Sequence, residues 1–112
     1  MGALGSKLRT LEGGGLMFRC PGCGDPHAVW VGYGPGPRWG WNYSGDAPTF
    51  TPSILVTWTE PSDVPEEFYD TSKDIKRVCH SFVTDGRIQF LADCTHALAG
   101  QTVDLPDWKE DP

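Results

Sequence analysis

The chain has 112 residues, enough for one domain, and its 38% hydrophobic and 21% charged residues mark a globular composition with a thin margin of burial. A net charge of −6, from 15 acidic and 9 basic residues with no basic stripe, argues against nucleic-acid binding. No apolar run reaches the roughly 18 residues of a membrane helix, and the absence of signal-peptide regions points to the cytoplasm.

Fourteen glycines and ten prolines break the chain at short intervals, which favours strands and turns over helices. Residues 1–15 end in Gly13-Gly14-Gly15 and read as a flexible lead-in. The start also fits a myristoylation pattern and Asn42-Tyr43-Ser44 a glycosylation sequon, but with no second anchor or export signal neither carries weight. Leu16–Cys20 and His27–Tyr33 then form a hairpin whose tip carries Cys20-Pro21-Gly22-Cys23-Gly24. Arg38–Asn42 gives a third short strand, and Ala47–Ser53, interrupted by Pro48 and Pro52, an extended edge segment. Ile54–Trp58 is continuous enough in apolar residues for a strand buried on both faces. Residues 60–74 are acidic and form a long loop that Phe68 and Tyr69 would pin. Arg77–Val83 and Arg87–Leu91 flank Asp85-Gly86, the strongest hairpin signal in the chain. Asp93–Gly100 has a capping residue and a terminal glycine that predict one or two helical turns. Gln101–Leu105 would add an edge strand before a frayed acidic tail. The expected architecture is mostly β, a small antiparallel sheet domain with a zinc knuckle and one short helix. It spans 16–108 as a single zinc-binding unit, with 109–112 as tail.

Four cysteines without an export signal belong to a reducing compartment, where Cys-x-x-Cys spacing favours metal over disulfide. A redox role would need that motif at a helix start beside a βαβ pattern, and none is present. Zinc takes about four Cys, His or carboxylate ligands. Beyond Cys20 and Cys23, the candidates are His27, Cys79, His80, Cys94 and His96, which the 85–86 hairpin brings together. Adjacent strand residues face opposite ways, so Cys79 and His80 can bind one ion together only where a bulge or strand end relieves the alternation. This surplus leaves two readings open: a closed zinc that staples a small fold, or an open zinc that activates water beside a base. Cys94, near a predicted helix start with His80 or His96 as base, offers a thiol nucleophile as a third. The aromatics Trp30, Tyr33, Trp39, Trp41, Tyr43 and Phe50 read as core, with a ligand-stacking platform as the other reading.

Taken together, Phe18–His27, Arg38–Asn42, Pro48–Val56 and Cys79–Trp108 resemble a family of Mu-like bacteriophages and prophages whose members are often mislabelled "ammonia monooxygenase". Nothing in these residues resembles the copper-binding or membrane parts of such an enzyme. Relatives in that family are found beside bacterial genes for ubiquitin-like proteins and their conjugating enzymes. They share a Cys-rich knuckle like that at Cys20–Gly24, a Pro-Ser-Ile like Pro52-Ser53-Ile54, and a Cys and His before the last hairpin. Asp93-Cys94-Thr95-His96 looks particular to the phage branch. The resemblance implies a zinc-dependent peptidase acting on a ubiquitin-like or other peptide tail. Cys20, Cys23, His80 and Cys79 would hold Zn2+, His96 and Asp93 would act as base or orienting groups, and Ser53 would steady the oxyanion. The alternative is a non-enzymatic, zinc-stapled module that inhibits a host protein. A DNA mimic, suggested only by the charge, is a weaker third.

Overall fold

The structure is a computed structural model and describes residues 2–108. Among the described residues, nine strands form two antiparallel meanders. The first sheet has the order β1 (Gly2–Leu4), β2 (Leu8–Leu11), β3 (Gly15–Arg19) and β4 (Pro26–Trp30). The second runs β5 (Gly40–Trp41), β6 (Phe50–Glu60), β7 (Ile75–Thr84), β8 (Arg87–Phe90) and β9 (Thr102–Asp104). Every strand pairs with its sequence neighbour within its sheet, as expected when short hairpin turns set the topology.

Alternation builds the core. Leu8, Leu16, Phe18 and Val29 from the first sheet meet Phe50, Ile54, Val83, Ile88 and Phe90 from the second. Phe18 stacks on Phe50 with ring centroids 6.2 Å apart, which fastens one sheet to the other. The 85–86 turn forms as predicted. Thr84 pairs with Arg87, and Asp85 and Gly86 both take positive φ, 50° and 79°, the requirement of a two-residue hairpin turn. The predicted edge strand at 101–105 is β9.

Four expectations are corrected. Residues 2–11 are not a loose lead-in: they form the β1–β2 hairpin, and Leu8 is fully buried. β6 is not buried on both faces, because Leu55, Thr57 and Thr59 point to solvent. Phe68 and Tyr69 do not pin the acidic loop but are exposed on it, between two 3-10 turns at Pro65–Glu67 and Thr71–Lys73. Finally, residues 93–100 form turns and no helix. The segment is tied to β7 at two points, Leu91 N–H donating to the His80 carbonyl and Thr95 N–H to the Val78 carbonyl, while Cys94 and Ala99 N–H reach only three residues back, to the Leu91 and His96 carbonyls. A backbone tied sideways to a strand cannot also close helical i→i−4 bonds. Of the tail, 109–112 lies outside the described residues, and Leu105 just before it is buried.

A triad and a thiol cluster on opposite faces of one strand

β7 organises two groups of side chains. Its odd-numbered residues from Cys79 to Val83 face the core, whereas His80 and Phe82 face outwards. Segment 91–96 returns along β7 through the two backbone bonds just described, so it delivers side chains to both faces.

On the inner face, Cys20, Cys23, Cys79 and His96 place their ligand atoms within 4.8 Å of one another. Cys20 Sγ and Cys79 Sγ are 3.7 Å apart, and Cys79 Sγ is 3.7 Å from His96 Nε2. A tetrahedral ion with metal–sulfur bonds of about 2.3 Å would separate two sulfurs by about 3.8 Å, so the thiols already stand at nearly the right edge length. The Cys-Pro-Gly-Cys turn shapes its half of the cluster. Cys23 N–H donates to Cys20 Sγ at 3.4 Å, and Gly24, at φ 78°, turns its N–H to the Cys20 carbonyl. His96 packs flat against this turn, where a Cβ on Gly22 would collide with the imidazole, and its ring meets Phe90 edge-on at 4.4 Å.

The three thiols share charge unequally. A hydrogen bond from Cys79 pulls the Cys20 thiol down to about 4, with His27 and the Cys23 amide helping. The same bond holds the proton on Cys79 and, with burial, pushes its pKa far up. Burial, reinforced by the Cys20 thiolate, raises Cys23 to about 12. Crowded sulfurs in a dry site cannot all ionise without a cation among them. Three cysteines and an imidazole therefore form a donor set that fits a metal ion.

On the outer face, His80 Nδ1–H donates to Asp93 Oδ2 at 3.1 Å, and its Nε2 accepts from Ser53 Oγ–H at 3.1 Å. A carboxylate can only accept, so this chain of bonds sets the imidazole tautomer. Ser53 owes its position to an irregularity in β6. Phe50 pairs with Val83 and Ile54 with Ser81, so residues 51–53 lie opposite Phe82 alone. Bulges of this kind aim a side chain out of the ladder. The Thr51–Pro52 peptide bond within the bulge is cis. Trp39 Nε1–H donates to the Ser53 carbonyl at 3.3 Å and fixes the bulge from β5's side. Cys94 is buried and holds the peptide of His80: it accepts from His80 N–H and donates to the His80 carbonyl, each at 3.2 Å.

The expected site residues are thus all near β7 but divided differently. His80, expected on the metal, bonds Ser53 and Asp93, while His96, expected as a base, stands among the thiols. The reason is strand geometry, which sends Cys79 and His80 to opposite faces. Cys94 is engaged by the His80 backbone and lies outside the thiol cluster. His27 is buried edge-to-face against Phe18 and is outside it too. The sequence carries no pattern that joins Ser53, His80 and Asp93 into a chain, although each is a candidate site residue. Bulge and return segment, which bring them together, have no local signal beyond Pro52. Of the aromatic patch, Trp39 and Trp41 pack on the core, whereas Tyr33 and Tyr43 are exposed.

A serine, histidine and aspartate joined by hydrogen bonds, here on the open face of a two-sheet β-domain, is an arrangement that recurs in serine hydrolases of unrelated folds. Residues 5–91 match the family described as bacterial ubiquitination-like system serine protease (BubE), and the chain belongs to it. That match includes Ser53 and His80 and ends just before Asp93. No curated protein and no solved structure matches the chain. No described helix is long and apolar enough to cross a membrane.

Proposed function

We propose that the protein is a serine peptidase of a bacterial ubiquitin-like system, with Ser53 as nucleophile, His80 as general base and Asp93 as the residue that orients it. The observation that carries this reading is the unbroken chain Ser53 Oγ, His80 Nε2, His80 Nδ1, Asp93 Oδ2, with 3.1 Å at both hydrogen bonds. The family to which the chain belongs, described as a serine protease, supports it independently. Ser53 Oγ attacks the scissile carbonyl carbon as His80 Nε2 takes the hydroxyl proton. His80 then gives that proton to the leaving nitrogen as the C–N bond breaks, which leaves an acyl ester on Ser53. Water, giving a proton to His80, hydrolyses the ester, and the proton returns to Ser53. Asp93 holds the Nδ1–H tautomer and stabilises the transient imidazolium.

The metal in this reading is structural zinc, held by Cys20, Cys23, Cys79 and His96. Zinc is the usual ion for three thiolates and an imidazole in a site with no redox partner, and four protein donors leave no corner for a reacting water. Leu98 N–H donates to His96 Nδ1, so the ring proton points from Nε2 at Cys79. Binding through Nε2 would move that proton to Nδ1 and release the Leu98 amide. The partner is a ubiquitin-like protein or its peptide tail. The resemblance to Mu-like phage and prophage domains supports the bacterial cytoplasm as its setting.

The test is covalent labelling with a fluorophosphonate followed by peptide mapping. Label on Ser53, lost in Ser53→Ala and His80→Ala while both variants keep their metal and melting temperature, is the expected result. Wild-type protein that takes no label at Ser53 would sink the reading.

A further inference from the structure

Two large apolar side chains beside the triad are left uncovered by the fold. Leu55 stands directly across from His80 in the β6–β7 register. Phe82 is the next outward residue after His80 and lies opposite the bulge that carries Ser53. Leu55 is 56% exposed and Phe82 41%. The core does not need them, because Ile54, Cys79, Ser81 and Val83 fill the inner face at these levels.

We propose that Leu55 and Phe82 form the substrate floor of the site and select an extended peptide whose residue at the scissile carbonyl is apolar. The inference rests on Ser53 being the nucleophile. Attack places the scissile carbon about 3–3.5 Å from Ser53 Oγ, and the leaving nitrogen must come within hydrogen-bond reach of His80 Nε2. Side chains directly opposite in an antiparallel pair have Cβ atoms about 4.5–5.5 Å apart, and those two along on one strand somewhat more. Leu55 and Phe82 are therefore within one peptide residue of the reacting atoms, and a substrate in register must lay a side chain across them. An apolar side chain buries these two surfaces with its own. An acidic one would be desolvated there, close to the Asp93 carboxylate on the far side of His80.

The experiment uses the full chain, the fluorophosphonate probe for Ser53 reactivity, and peptide esters that carry Leu, Ser, Asp or Lys at the acyl residue. The wild type is expected to favour Leu over Asp by about tenfold or more in kcat/KM. Leu55→Thr and Phe82→Thr, which keep strand-compatible side chains, should cut that preference severalfold while Ser53 still takes the probe. Leu55→Lys should shift preference towards Asp, a gain that misfolding cannot imitate. Ser53 labelling without a preference for Leu, or with selectivity unmoved in all three variants, overturns this inference alone. Absence of labelling in the wild type overturns the serine reading and this inference together.

Discussion

Asp93 is the member of the triad whose contribution is least obvious, since its side chain is 56% exposed while that of His80 is 25% exposed. Solvent weakens a charge pair, but the tautomer depends on geometry and less on field strength. Asp93→Asn leaves a side chain of the same shape that can donate to Nδ1 and so favours the wrong tautomer. We expect kcat on a peptide ester to fall by about 100-fold or more with KM little changed, where a buried triad aspartate costs about 10⁴. A variant within threefold of wild type would remove Asp93 from the mechanism. The thiols make a separate prediction. Cys23, raised to about 12, and Cys79, raised further, are both protonated near neutral pH, whereas Cys20, at about 4, is already ionised. A metal must expel the two protons, so affinity rises with pH by up to about tenfold per proton per pH unit. Zinc competition against a chelator at pH 6, 7 and 8 should show that steep dependence. A flat profile would mean that no thiol proton is displaced.

At the scale of elements, Cys79 and His80 are neighbours on β7, and Asp93 and His96 sit three residues apart on the segment that runs beside it. A metal bound on the inner face would therefore fix both supports of the proposed triad on the outer face, although it would touch neither reacting atom. Removing it would take away one of the ties that hold segment 91–96, which carries Asp93, against β7. Cys20→Ser and His96→Ala, or chelation of the wild type, should lower the melting temperature and slow Ser53 labelling together. Added zinc should restore both in chelated wild type and in neither variant. Labelling that survives full loss of metal would separate the two faces. Gly22→Ala tests the same link gently: its Cβ runs into the His96 ring, and overpacking of this kind costs about 1–3 kcal/mol, read from denaturant midpoints. The sequence reveals some of this arrangement and hides the rest for physical reasons. Cys20-x-x-Cys23 and Asp85-Gly86 are local motifs, so they were legible. Strand periodicity argues against Cys79 and His80 sharing an ion, but a bulge or strand end would lift that bar, so the sequence leaves both in the expected ligand set. The allocation of His80 to Ser53 was hidden, because it depends on a bulge at 51–53 and on a returning segment whose caps read as helix. Leu55 belonged to an apolar run that reads as a buried strand, and only the sheet's open outer face shows otherwise.

At the scale of the whole molecule, residues 105–108 strap back onto the first sheet. Lys7 Nζ–H donates to the Leu105 carbonyl at 2.6 Å and pairs with Asp107 at 2.7 Å, and Trp108 N–H donates to the Ser6 carbonyl. The guanidinium carbons of Arg9 and Arg19 each lie 5.4 Å from the Trp108 ring centroid, which joins two strands of the first sheet to this segment. The salt bridge is a minor part, because Asp107 is exposed. Leu105 is the larger one: it is fully buried in the core shared by both sheets, and its removal alone costs about 2–3 kcal/mol. A chain stopped after Asp104 should therefore lose at least that much stability, and the loss should be local first. In hydrogen exchange, the β1–β2 amides should open before those of β6 and β7, since the long β6–β7 ladder and the thiol cluster do not involve the last residues. Ser53 labelling at low temperature should persist in the shortened chain, because neither triad nor cluster draws on residues past His96 for its side chains. Uniform loss of protection across both sheets would instead make the closing strap part of one cooperative unit with the triad, and labelling would then fail in step with folding.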